Sequence, residues 1–141
     1  MDILFIGQTN DVSGYAVHAR NNVRALVHCG HNLQVRPFKV DHYTYEQSEE
    51  EAALEKNKVL KPDTLIEHCT PEIYGRYVPT GAHWGKRIGY FAWETDRILF
   101  KPWVTSINQM DAICVPCKDN KRTLESSGVE VPIYIVPHIC D

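Results

Sequence analysis

Four short segments combine polar side chains with the glycine, proline or strand-end positions where chemistry is usually placed. The first is Gly7-Gln8-Thr9-Asn10-Asp11-Val12-Ser13-Gly14-Tyr15. It joins an apolar run to a helical pattern, so it sets a helix N-terminus, with its unpaired N–H groups and positive dipole end, where an anion can bind. Gly14 would let a ligand approach the backbone. Ser13 serves equally as a helix cap, with Gly14 as a plain turn residue. The segment is neither G-x-G-x-x-G nor G-x-x-x-x-G-K-[ST], so dinucleotide and P-loop fingerprints are absent. The second segment is Trp93-Glu94-Thr95-Asp96-Arg97-Ile98. Glu94 or Asp96 could accept hydrogen bonds from sugar-like hydroxyls, and Arg97 could hold a phosphate. The alternative is an Asp96–Arg97 surface cluster with Trp93 as packing. The third, Val136-Pro137-His138, and the fourth, His68-Cys69-Thr70-Pro71-Glu72, each place a histidine at a strand end. Such a histidine is either hydrogen-bonded scaffold or part of a cleft lining.

The cysteines offer less. Cys29, Cys69, Cys114, Cys117 and Cys140 are odd in number and irregularly spaced, which argues against a disulfide framework. Cys114-Val115-Pro116-Cys117 is a CxxC, but Cys114 ends an apolar strand and is expected to point into the core. A redox pair needs its first thiol exposed at a helix N-terminus. Zinc needs a second ligand pair, and none is evident. His28-Cys29-Gly30-His31 reads as a helix stop rather than a metal site.

The elements that must position these residues can be read from hydrophobic patterning. Apolar or alternating runs predict strands over residues 2–7, 33–38, 64–69, 87–93, 112–115 and 132–136. Pro37 marks a strand end or an edge position. Helical patterns cover residues 15–29, 48–56, 102–110 and 118–127. The second of these, opened by Ser48 and three glutamates, reads as a short exposed helix. Residues 41–47 and 74–84 read as connections, the second rich in Tyr, Gly and His; both are candidates for contacts that set specificity. Strands alternating with helices predict an α/β fold, a Rossmann-like, doubly wound parallel sheet in a single domain. Such a sheet binds its ligands beyond the C-terminal strand ends, where all four segments fall.

Composition narrows the classes further. The 141 residues carry 15 Lys and Arg against 18 Asp and Glu, a net charge of −3, with 43% apolar and 23% charged residues. That excludes a disordered chain, a collagen-like chain and a basic arm that grips nucleic acid by charge. The longest unbroken apolar runs are of four residues, such as Ile3-Leu4-Phe5-Ile6, far below the roughly 20 a bilayer-spanning helix needs. Met1-Asp2 leads directly into a strand without the basic stretch of a secretory leader, which predicts a cytoplasmic protein.

Taken in order, a set of short blocks resembles one known family. They are Gly7, Asp11-Val12-Ser13-Gly14-Tyr15-Ala16-x-His18-Ala19-Arg20-Asn21, His68, Thr70-Pro71-Glu72 and Gly89-Tyr90-Phe91-Ala92-Trp93-Glu94-Thr95-Asp96. Trp103-Val104, Asn108, Asp111, Val115-Pro116, Ser127-Gly128-Val129, Val131-Pro132-Ile133 and Val136-Pro137-His138-x-x-Asp141 complete it. The chain resembles the N-terminal domain of GT-B glycosyltransferases of the family 4 type, over nearly its whole length.

The resemblance implies the acceptor-side half of a two-domain enzyme that moves a sugar, with retention, from a nucleotide-sugar donor to a sugar or other acceptor. The transfer would take place in the cleft between the domains, without an essential metal or other cofactor. Ser13 and Gly14 would face donor phosphate or acceptor, Glu94 and Thr95 would floor the cleft, and His138 would lie near the passage to the second domain. Tyr15, His18, His68, Asp96 and Arg97 complete the expected substrate-binding set. Many relatives end the fourth strand in a histidine; here it ends Trp93-Glu94-Thr95, so no catalytic residue is carried over. Cys117 and Ile139 stand where serine and glycine are usual. The sequence stops where the donor-binding domain would begin, which predicts a chain inactive alone. Two other readings compete: a stand-alone, non-catalytic binding module with the same fold, and a small self-contained phosphate-handling enzyme.

Overall fold

The structure is a computed structural model that describes residues 1–40, 42–97 and 100–139. Asp41, Ile98, Cys140 and Asp141, which belong to segments singled out above, lie outside the described residues. Six strands, β1 (Asp2–Gln8), β2 (Asn32–Phe38), β3 (Thr64–His68), β4 (Lys86–Tyr90), β5 (Ala112–Val115) and β6 (Ile133–Ile135), form one sheet in the order β2-β1-β3-β4-β5-β6, parallel throughout. Helices α1 (Gly14–His28), α2 (Glu49–Lys56), α3 (Lys101–Ile107) and α4 (Lys118–Ser126) and a single 3₁₀ turn, Pro71–Ile73, connect them. This is the expected α/β, Rossmann-like arrangement with helices on both faces.

Local chemistry accounts for each helix. In α1, Ala16, Ala19, Arg20 and Val23 are buried at the i, i+3, i+4, i+7 spacing of one helical face. Ser13 caps its start, and Gly30, at φ 83°, takes the left-handed conformation that closes its end. In α2, Ser48 and Glu51 form a reciprocal capping box, which stabilises a helix with no buried residue. Only half-buried Leu54 reaches the core, as expected of an exposed helix. Gly128, at φ 93°, ends α4.

Because side chains alternate along a strand, the register divides the core into two faces. Ile3 and Phe5 of β1 pack with Leu33 and Val35 of β2 under α1. Leu4, Ile6, Leu65 and Cys69 face the other way, against the residues after β3. Phe91, Ile113, Val115 and Ile133 continue that second face under α3 and α4. On the α1 face, the side chains of Ile66, Ile88 and Cys114 line an open apolar groove whose other wall is Asn22, Ala25 and Leu26 of α1. Cys114 is therefore half-buried on this groove, not inside the core as its strand position suggested. Cys117 is the exposed N-cap residue of α4.

Both sheet edges carry prolines. Pro37 lies in edge strand β2, and Pro132 and Pro137 bracket edge strand β6. β4 is shorter than expected, ending at Tyr90 rather than Trp93, because the backbone beyond Phe91 bonds to side chains instead of to β5. No helix of the described residues is long and apolar enough to cross a membrane.

A buried ion pair joins β3 to β4. Glu67, 1% exposed, accepts from Arg87 Nε at 2.8 Å and from the Gly75 N–H at 2.6 Å. Removing one partner of such a pair strands a buried charge, at a cost of about 3 kcal/mol or more. Arg87→Leu should lower the unfolding free energy by about that much in urea titration. Glu67→Gln/Arg87→Leu should lower it less. An Arg87→Leu effect near zero would show that solvent, not Arg87, neutralises Glu67.

Candidate functional site

The direction in which strands are added reverses between β1 and β3. In a parallel sheet the connections that follow two such strands diverge to opposite sides and leave a crevice at their C-terminal ends. Gly7, Gln8 and the start of α1 form one wall of that crevice, and His68 ends the other strand. Gly7 is required there by packing: a Cβ would lie 2.8 Å from the Phe5 ring and 3.4 Å from His68 Cβ. A Cβ on Gly14 would meet nothing within 4 Å, so no protein neighbour demands glycine at that position.

The turn over residues 8–13 is locked from within. Asp11, fully buried, accepts from the Ser13 N–H at 2.9 Å, the Ser13 hydroxyl at 2.6 Å and Gln8 Nε2 at 2.7 Å. Burial alone would raise its carboxyl. The bonds from Ser13, Gln8 and the Val40 backbone outweigh burial and hold it below the usual carboxylate range. Ser13 Oγ also accepts from the Ala16 N–H and from Gln8 Nε2. The hydroxyl is thus committed to the turn and the cap. The Gly14 and Tyr15 N–H groups are those of the first helical turn that Ser13 does not satisfy. From behind, Arg20 donates to the carbonyls of Thr9 and Asp11 at 2.7 and 2.8 Å and lies over the Tyr45 ring at 3.8 Å. That contact pins the connection before α2 against the turn.

His68 is the centre of the crevice. It is 1% exposed, stacked on Tyr90 at 4.5 Å and 10°, flanked by Phe5 at 5.9 Å, and met edge-on by Tyr15 at 5.5 Å. Neither ring nitrogen has a hydrogen-bond partner. Burial, with smaller contributions from the charges of His138 and His18, pushes its pKa down to about 3, so the ring is neutral at pH 7. Burial also raises the Tyr90 hydroxyl to about 12 and the Tyr15 hydroxyl further.

His18 and His138 stack face to face, with ring centroids 3.4 Å apart and planes at 20°. His18 Nδ1 is buried without a partner, and His138 is held below the ordinary histidine value by burial and then by His18. Tyr15, His18, His68, Tyr90, Ala92 and His138 together line a cavity of about 10 Å³, room for roughly one water molecule.

The segment after β4 is held by two side chains. The Tyr15 hydroxyl accepts from the Ala92 N–H at 2.9 Å. Asn120 of α4 closes on Trp93 from both sides, accepting from its N–H at 3.0 Å and donating to its carbonyl at 2.6 Å. Trp93 packs edge-on against Trp103 at 5.1 Å. Trp93 Nε1 donates to the Arg97 carbonyl and Thr95 Oγ1 accepts from the Arg97 N–H, each at 3.3 Å.

Of the ten residues singled out by sequence, Tyr15, His18, His68 and His138 meet around one cavity, and Ser13 and Gly14 open the helix that carries the first two. Glu94, Thr95, Asp96 and Arg97 are exposed on the segment beyond it. Asp96 borders a shallow hollow with Asp119 and Arg122 of α4, away from the histidines. Sequence reasoning did not single out Tyr90 and Asn120. Tyr90 shares the sheet face of His68 by register. Asn120 shares one helical face with buried Thr123 and Leu124, and a polar residue on such a face is the signal that marks it. Among the described residues, no group of three or more His, Cys, Asp or Glu side chains is placed to hold a metal ion.

Two outcomes follow from this geometry. A histidine whose folded pKa lies below its unfolded value of about 6.5 stabilises the fold fully above that value. Its contribution is lost as the pH falls towards the folded value, here about 3. Stability should therefore drop by about 2 kcal/mol between about pH 6.5 and pH 5 from His68 alone. His68→Phe should remove that slope in urea unfolding measured across the range, and an unchanged slope would assign it to other groups. Asn120→Ala strips both polar contacts from the Trp93 backbone. It should cost about 1–3 kcal/mol and speed amide exchange at residues 92–94, read by hydrogen exchange.

No protein-family model matches the chain, and no curated protein matches it, so its functional reading rests on the site itself.

Proposed function

We propose that the chain is the acceptor-side domain of a retaining GT-B glycosyltransferase. It would act in the cytoplasm on a nucleotide-sugar donor and a sugar or other acceptor, and be inactive without a donor-binding domain. The observation that carries this reading is convergence at one edge. The α1 N-terminus, with its unsatisfied N–H groups, leads into the helix whose Tyr15 and His18 meet neutral His68, Ala92 and His138 around one cavity beside the reversal point between β1 and β3. In the proposed reaction, the bond from the anomeric carbon to the donor phosphate breaks and one to an acceptor oxygen forms. The acceptor proton leaves with the departing diphosphate. The α1 N-terminus suits the phosphate charge, and exposed Glu94 suits an acceptor hydroxyl. Neutral His68 would supply hydrogen bonding rather than a proton at pH 7.

Titration of the isotope-labelled chain with nucleoside diphosphate sugars and with free sugars, followed by amide shifts, tests this. Binding in the range of about 1 mM is expected, with shifts at Tyr15, His68, residues 92–94 and His138. Transfer should appear only when a donor-binding domain is added. Binding without transfer from any pairing would support the module, and shifts confined to other surfaces would overturn the assignment of the site.

A further inference from the structure

The groove on the α1 face is a built space. Ile66, Ile88 and Cys114 line it from the sheet, and Ala25 and Leu26 line it from α1. Val136 and Ile139 add a further wall, and hydrogen bonds hold both in place. The Val136 N–H donates to the Val115 carbonyl at 2.8 Å, the Tyr90 hydroxyl donates to the Val136 carbonyl at 2.9 Å, and Asn21 Nδ2 donates to the Ile139 carbonyl at 2.9 Å. The enclosed volume of about 260 Å³ is therefore preformed, as small-molecule sites usually are. At roughly 30 Å³ for each water-sized group, it holds a molecule of about nine such groups.

The lining decides what chemistry fits. Among the described residues around the groove, none carries a charge at pH 7. His68 is neutral there because burial holds its pKa at about 3. An ion entering would lose its water and find no counter-charge. One polar group nevertheless waits for a partner. His68 borders the groove, is 1% exposed, and has no hydrogen-bond partner on either ring nitrogen. A neutral imidazole offers one N–H donor and one acceptor nitrogen, and a buried group of this kind gains from being paired. A hydroxyl both donates and accepts, so it can pair with either nitrogen. A ketone or ether only accepts, and a primary amine is charged at pH 7. Asn22, hydrogen-bonded to the Tyr90 hydroxyl, adds a second polar group at the α1 wall.

We propose that this groove binds a small, uncharged alcohol or phenol, its apolar body between Leu26 and the Ile66–Ile88 floor and its hydroxyl on a ring nitrogen of His68. The site stands on the groove and on His68, and it does not need the transferase reading.

The test is methyl NMR of the isotope-labelled full chain at pH 7, titrated separately with benzyl alcohol, toluene, benzylammonium and benzoate. Benzyl alcohol should shift the methyls of Leu26, Ile66 and Ile88 and saturate with a Kd of about 1 mM. It should bind about threefold or more tighter than toluene, which fills the same space without a hydroxyl. Both ions should bind at least about tenfold more weakly than the alcohol. Toluene or either ion binding as tightly as the alcohol, shifts confined to other residues, or no shift by about 5 mM would each overturn the proposal. In His68→Phe the preference for benzyl alcohol over toluene should vanish, and a preserved preference would overturn the role of His68. Saturating benzyl alcohol should also slow thiol labelling of half-buried Cys114 about threefold or more relative to exposed Cys29 in the same molecule, and an unchanged ratio would place the alcohol elsewhere. Shifts of the same methyls with chain concentration alone, accompanied by a dimer mass in light scattering, would put a second copy of the chain in the groove and overturn the proposal as well.

Discussion

An imidazole buried among Phe5, Tyr15 and Tyr90 has to remain uncharged, and much of the C-terminal edge of the sheet is arranged around that requirement. Gly7 surrenders its side chain so that Phe5 and His68 can meet. Tyr15, while lying edge-on to His68, turns its hydroxyl outward to take the Ala92 N–H, which frees the backbone after Phe91 from the ladder. Tyr90, stacked on His68, turns its hydroxyl to the Val136 carbonyl and so ties the chain beyond β6 to the same centre. One neutral ring thus sets the positions of α1, the segment after β4 and the return from β6. The polar ends of its aromatic neighbours, rather than their ring faces, do the tying.

The two faces of the sheet play different parts. Under α3 and α4 the core is closed; the buried Glu67 carboxylate beside it is met by Arg87 and the Gly75 N–H, while the Tyr74 hydroxyl is buried there without a hydrogen-bond partner. The α1 face is closed over β1 and β2 and gives way to an open groove towards β4 and β5. Rigidity is therefore concentrated on one face and adaptability on the other, with the crevice at their junction. A scaffold of that kind holds a site in register from below while leaving room above it for a ligand or a further layer of protein.

The fold was legible because strand and helix signals agreed with one another: unbroken apolar strands, Ser13 and Ser48 before helices, Gly30 and Gly128 after them, and a proline in what proved to be an edge strand. The site was legible only in outline. Strand-end histidines can be read from sequence, but the stacking of His18 on His138, 120 positions apart, depends on a return of the backbone that no local pattern encodes. The end of β4 was misplaced for a related reason. Trp93 looks like strand by its apolar neighbours, yet Asn120, distant in sequence, claims its backbone. Cys114 was misjudged because alternation assigns a residue to a face without saying whether that face is covered.

The prolines at the margins of the sheet bear on how the molecule coexists with other copies of itself. A sheet with a partly bare apolar face is a hazard when its outer strands can also recruit neighbours, because main-chain pairing would then line up exposed apolar surface from one molecule to the next. Pro37 removes a donor from one margin, and Pro132 and Pro137 remove donors from both ends of the other, where only three residues are available for pairing. Both margins thus offer fewer donors for strand addition from another copy, beside a face that keeps apolar surface open.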